Sequence, residues 1–93
     1  MNNEEIQAQL KRLDAGWKLA DDSQSIARRF EFKGFAKAVY LSNLCVWLAD
    51  EHGHHPDIAF GWGYCEVRLT SHDIGSLSER DFKWAARLDE LTA

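Results

Sequence analysis

Apolar residues recur along the chain first at helical spacing, then in alternation, and then in both rhythms again. Ile6, Leu10 and Leu13 fall at i, i+4 and i+7 behind Asn2 or Asn3 as N-cap, with the acids Glu4 and Glu5 in the first turn. This predicts a short amphipathic helix ending near Gly16. Trp17 and Leu19, then Ile26, Phe30 and Phe32, alternate on either side of the polar connection Asp21-Asp22-Ser23-Gln24-Ser25, which predicts two antiparallel strands. Gly34 to Asp50 reads as a second helix with two apolar stripes. One runs through Phe35, Ala38/Val39 and Cys45/Val46, the other through Leu41, Leu44 and Leu48, and Lys37 is the only interior charge. Ile58, Phe60 and Trp62 alternate again, as do Cys65, Val67 and Leu69 against Tyr64, Glu66 and Arg68, with a turn or bulge expected at Gly61–Gly63. Ser78 followed by Asp81 is a capping-box pattern that opens a last helix, whose apolar face is Phe82, Ala85/Ala86 and Leu88/Leu91.

The resulting order, α-β-β-α-β-β-α, predicts an α+β fold in which a four-stranded antiparallel sheet carries its helices packed on one face. At 93 residues the chain holds one core, so residues 1–93 are read as a single domain. A helix apolar on most of its circumference needs more cover than so small a domain supplies, so self-association through the 34–50 helix is expected. The stripe through Phe35, Val39 and Val46 is assigned to the sheet. Tyr40, Leu41, Leu44 and Leu48 are left for a second copy, in a homodimer or homotetramer.

Composition narrows the functional classes. The net charge of -4 opposes a phosphate backbone, so direct nucleic acid binding is not expected. The longest uncharged stretch, Ala38 to Ala49, falls short of the roughly 20 apolar residues that cross a bilayer. The acidic start Met1-Asn2-Asn3-Glu4-Glu5-Ile6 does not resemble a secretory signal, so a cytoplasmic location is the expectation. Cys45 and Cys65 lie in apolar runs without a Cys-x-x-Cys partner and are read as buried thiols.

All four histidines lie between positions 52 and 72. His54 and His55 precede Pro56, which disfavours helix at His55 and places the pair where the second helix ends. His72 follows the fourth strand, and a hairpin of strands three and four brings it towards the pair. Imidazoles titrate near pH 6.5, so several around one site can exchange protons at neutral pH. Taken singly, a loop histidine is as often a solvated surface residue. A metal site has little support, because adjacent histidines do not easily face one ion and no strong ligand motif is present. Asp81 at N3 is accounted for by capping alone, Asp50 by the polar end of the helix, and Trp47, Trp62 and Trp84 by core or interface roles.

The ordered pattern Asp50-x-x-x-His54-His55-Pro56, Trp62, His72, Gly75, Leu77 and Asp81 resembles the pterin-4a-carbinolamine dehydratases, also described as dimerisation cofactors of a homeodomain transcription factor. The resemblance continues through Trp17, Arg29-Phe30-Glu31-Phe32 and Phe35, and so covers nearly the whole chain. That family often has Tyr-Asn where this chain has Trp62-Gly63, and Gly-Gly in place of Gly75-Ser76, which puts the rim of the site in question. The resemblance implies a hydro-lyase that removes water from a 4a-hydroxy-tetrahydropterin to give quinonoid dihydropterin. Such a reaction supports tetrahydrobiopterin recycling for aromatic amino acid hydroxylases, and it needs no cofactor and no metal. His54, His55 and His72 become the implied catalytic residues, with His54 and His72 as acid and base and His55 mainly holding the ring. Gly53, Thr70, Ser71 and Asp73 are implied substrate contacts, and Asp50 and Asp81 supporting residues. The competing readings are a non-catalytic dimerisation or coactivator scaffold and a related domain acting on another pterin. Keeping all three histidines favours the enzyme.

Overall fold

The computed structural model describes residues 1–93. Helix α1 (Asn3–Leu10) is followed by strands β1 (Lys18–Leu19) and β2 (Ile26–Glu31), helix α2 (Ala36–His52), strands β3 (Asp57–Gly61) and β4 (Tyr64–Leu69), and helix α3 (Glu79–Thr92). The strands form one antiparallel sheet in the order β1-β2-β4-β3. The predicted α+β order is the observed one. No helix is long and apolar enough to cross a membrane.

Helix α1 opens on a reciprocal capping box between Asn2 and Glu5, and Ile6 is its only fully buried side chain. It stops at Leu10, well before Gly16. Asp14 accounts for the early stop: its N–H donates to Asp89 Oδ2 at 2.9 Å and its Oδ1 accepts from Gly16 N–H at 2.8 Å. The segment is thereby held in a turn that a helix would break. Asp89 also accepts from Trp17 Nε1 (2.8 Å) and Arg28 Nη1 (2.6 Å), so one carboxylate of α3 fastens the α1–β1 connection and β2.

Ladder register puts Ile26, Arg28 and Phe30 opposite Leu69, Val67 and Cys65, with Ile58 and Phe60 opposite Val67 and Cys65 from the other side. These residues share the face covered by the helices, as the period of two requires. The other face carries Arg29, Glu66 and Arg68 and is polar. β3 ends at Gly61, which pairs with Tyr64, so the connection is the Trp62-Gly63 dipeptide with Gly63 at φ 83°. Trp62, expected as the last member of strand three, is instead an exposed residue at the hairpin tip. A Cβ on Gly61 would lie 2.8 Å from the Tyr64 ring, so any other residue there would force that ring to shift.

Helix α2 starts two residues later than expected, because Gly34 takes φ 138°, outside the helical region, and Phe35 serves as N-cap. It runs on through His52 until Gly53 turns left-handed at φ 60°. Its inward face is Ala38, Leu41, Ser42, Cys45, Leu48 and Ala49. This corrects the expected division of stripes. Val46 is exposed, and Phe35 is half-exposed and meets only the Phe60 ring of β3 at 6.0 Å, whereas Leu41 and Leu48 are core residues. The small side chains at 38, 42, 45 and 49 let the helix approach the sheet closely, and Ser42 Oγ reaches Cys65 Sγ at 3.4 Å. Both thiols are buried and free, and burial, then the neighbouring Cys65, pushes the Cys45 thiol up to about 12. Leu44 is half-buried against the core, and Tyr40 and Trp47 point outwards. On α3, Trp84, Ala85 and Leu88 are fully buried, whereas Leu91 at its end is exposed.

Asp89→Ala leaves Trp17 Nε1–H without its acceptor and the Arg28 guanidinium with only its longer contact to Asp14 Oδ2 (3.5 Å), in a largely covered site. The expected cost is roughly 1–3 kcal/mol, read as a lower urea midpoint with an unchanged slope. A midpoint equal to that of the parent would show that these bonds are replaced by water at no cost.

Candidate functional site

The sheet register brings the histidines to one end of the molecule. Asp57 opens β3 opposite Arg68 near the end of β4, so the α2–β3 connection and the β4–α3 loop leave the sheet side by side. Gly53 caps α2 in the left-handed conformation, and both its N–H and that of His54 turn back to Ala49 O. Beyond that cap His54 turns inward and His55 outward, immediately before Pro56 and β3. The loop after β4 is tied to Ser71: its N–H donates to Ser76 O at 3.0 Å, and its carbonyl accepts from Ile74 N–H and Gly75 N–H.

Asp81 lies at the centre of the site and has no exposure to solvent. His54 Nε2 is 2.5 Å from its Oδ1, while Oδ2 accepts from Ser71 Oγ and from Ser78 N–H, each at 2.9 Å. Ser71 Oγ also lies 2.6 Å from Ser78 Oγ. A buried carboxylate is strongly disfavoured unless it is paired and hydrogen-bonded, and here Ser71 Oγ–H and Ser78 N–H donate to one oxygen of Asp81 while the His54 ring lies against the other. Capping therefore explains only part of this residue. The same carboxylate that starts α3 fixes the ring of a histidine 27 positions earlier in the chain.

The other expected site residues lie around this centre. His55 is an open side chain, 70% exposed, with Nε2 3.9 Å from Asp50 Oδ1, a solvated pairing of small energy. His72 is exposed next to Asp73. Asp73 Oδ1 accepts from Arg80 Nη2 at 2.6 Å, and this bond holds the Asp73 carboxyl below the usual carboxylate range. Thr70 Oγ1 donates to Gln24 O at 2.6 Å. Ser71, expected as a substrate contact, is fully buried, with its hydroxyl and both its backbone groups engaged within the protein. Its part in the site runs through Asp81.

Two residues of this arrangement were not identified as site residues from the sequence. Ser78 is legible there as an N-cap, but not as a neighbour of Ser71, and nothing in the sequence marks Arg80. His52, the fourth histidine, is exposed in the last turn of α2 and joins none of these bonds. None of the four surface grooves is lined by His54, His55 or His72. The groove of about 410 Å³ lies on the polar sheet face between Lys18, Arg29, Glu66 and Arg68. No three His, Cys, Asp or Glu side chains converge in the manner of a metal site.

Residues 1–91 match the family model described as pterin 4 alpha carbinolamine dehydratase. The chain belongs to this family. A Paracoccus denitrificans protein provisionally named pterin-4-alpha-carbinolamine dehydratase is 49% identical over 92 residues, spanning 99% of this chain and 85% of its own. Among solved structures, a transcriptional coactivator/pterin dehydratase from Brucella melitensis superposes with a TM-score of 0.91 at 27% identity, covering 100% of this chain and 98% of that one. A pterin dehydratase-like protein identified as a RuBisCO assembly factor of the alpha-carboxysome gives a TM-score of 0.69 at 26% identity, covering 84% and 90%. Family membership thus agrees with the resemblance read from the histidine pattern.

Proposed function

We propose that this chain dehydrates a 4a-hydroxy-tetrahydropterin to the quinonoid dihydropterin. The observation that carries the reading is the pairing of His54 with a fully buried Asp81 at the end of the sheet where His55 and His72 stand open to solvent. In the reaction the C4a–O bond breaks and the hydroxyl leaves as water after taking a proton. N5 gives up its proton, and the nitrogen electron pair forms the new C=N bond. One group must supply the first proton and another must accept the second. His54 and His72 fill these roles, and His55 with Gly53, Thr70 and Asp73 holds the ring. A carbinolamine collapses readily, so positioned imidazoles suffice without a covalent intermediate. The product is the form that a reductase returns to tetrahydrobiopterin for aromatic amino acid hydroxylases.

His54→Ala and His72→Ala are each expected to slow dehydration of freshly generated 4a-hydroxy-tetrahydropterin. Together they should remove roughly 10²–10⁴-fold in rate, the usual worth of general acid–base help, while circular dichroism stays unchanged. Parent-like turnover by the folded double variant would refute the mechanism. Dialysis against a strong chelator is expected to leave the rate unchanged, because the steps are proton transfers. Loss of rate with recovery on adding zinc would show the opposite.

The second reading, a scaffold, draws on the outer face of α2. Tyr40, 69% exposed, and Trp47, 49% exposed, stand seven positions apart on one side of the helix, with Val46 also open. The two structural neighbours carry coactivator and assembly-factor descriptions, which fit such a surface. We propose that this face joins copies of the chain into a dimer or tetramer, since a closed symmetric contact covers one apolar patch with another. Trp47→Glu should lower the mass seen by light scattering at micromolar concentration and leave the helical signal intact. A monomeric parent chain would exclude this assembly.

A further inference from the structure

We propose that Ser71 is a positioning residue that, together with Ser78, fixes the tautomer of His54 through Asp81. Its kinetic consequence rests on the dehydratase reading above, but its spectroscopic consequence does not.

The direction of the hydrogen-bond chain is forced from both ends. Arg80 can only donate, and both its backbone N–H and its Nε–H point to Ser78 Oγ at 3.3 Å. A carboxylate can only accept, and Asp81 Oδ2 stands 2.9 Å from Ser71 Oγ. Between these ends lie two hydroxyls 2.6 Å apart, each with one proton. Ser78 has its lone pairs turned to Arg80, so its proton goes to Ser71. Ser71 has a lone pair turned to Ser78, so its own proton goes to Asp81. With Oδ2 taking this proton and Ser78 N–H, Oδ1 is left to accept from His54 Nε2 at 2.5 Å. A neutral His54 therefore carries its hydrogen on Nε2, and Nδ1 is the atom with a lone pair free to take a proton.

Ser71 is fully buried, so no water stands ready to replace its hydroxyl. Without that hydroxyl, Asp81 Oδ2 keeps one donor and the Ser78 proton loses its acceptor. A less well stabilised Asp81 carboxylate then takes the Nε2 proton as Nδ1 takes one from solvent, so that the acid Asp81 donates to Nε2 and the neutral ring carries its hydrogen on Nδ1. The chain also continues outwards, because Arg80 Nη2 binds Asp73 beside His72. The loop that carries one exposed histidine is in this way connected by hydrogen bonds to the ring of the buried one.

The test follows the ring nitrogens of His54 by ¹⁵N NMR at neutral pH in the full chain, with kinetics alongside. The parent should show a protonated Nε2 with a slowly exchanging, downfield N–H and an unprotonated Nδ1. Ser71→Ala, which only removes an oxygen, should lose that signature and reduce kcat about tenfold or more with KM unchanged, a fraction of the usual acid–base contribution. Ser78→Ala should shift the nitrogens in the same direction. Ser78→Thr, which keeps both the hydroxyl and the N-cap at a half-buried position, should restore the parent signature. Unchanged His54 nitrogens in folded Ser71→Ala would overturn the proposal, as would a rise in KM at constant kcat. A parent chain without dehydratase activity that shows the same contrast would refute the enzyme and still support the positioning of His54.

Discussion

A carboxylate removed from water persists only where donors surround it, and much of this structure is arranged to supply them to Asp81. The donors come from the end of α2 (His54), the residues after β4 (Ser71) and the N-cap of α3 (Ser78). Three elements distant in sequence are therefore required to meet at one point. Removing one partner from such a buried group generally costs far more than the bond contributes, because the remaining charge has nowhere to go. The site is thus not grafted onto a finished fold. The residue that begins the last helix is also the one that orients the buried histidine.

Helix α3 repeats the device at its other end. Asp89 collects Asp14 N–H, Trp17 Nε1 and Arg28 Nη1, fastening the start of the chain and β2 as Asp81 fastens α2 and β4. Between the two carboxylates the helix buries Phe82, Trp84, Ala85 and Leu88 against the core. Apolar contact supplies the bulk of the packing, and the two carboxylates fix which loops lie where. Hydrogen bonds to charged acceptors are directional in a way that contact between methyl groups is not.

The histidines divide along the same line. His54 is held by a buried partner and presents a defined ring, whereas His55 and His72 are exposed at the surface of the same end. A rigid buried group beside open ones suits chemistry in which one imidazole must have a set geometry and the others meet a soluble ligand.

The sequence by itself determined the element order, the cap at Ser78, and the gathering of histidines around the strand three–four hairpin. Each of these depends on residues close in the chain, where spacing and local hydrogen bonding are sufficient. Only the tertiary structure decided which side of α2 faces the sheet. A helix apolar nearly all round has a readable period but an ambiguous phase, and the narrow stripe Ala38, Ser42, Cys45 and Ala49 became the inner face because it allows the closest approach to the sheet. The early stop of α1 depends on Asp89, which lies 75 residues from Asp14, and the second role of Asp81 depends on His54, 27 residues away. An Asp in a capping box looks locally complete, so nothing nearby in the chain shows that its other oxygen is reserved for a ring carried on a different element.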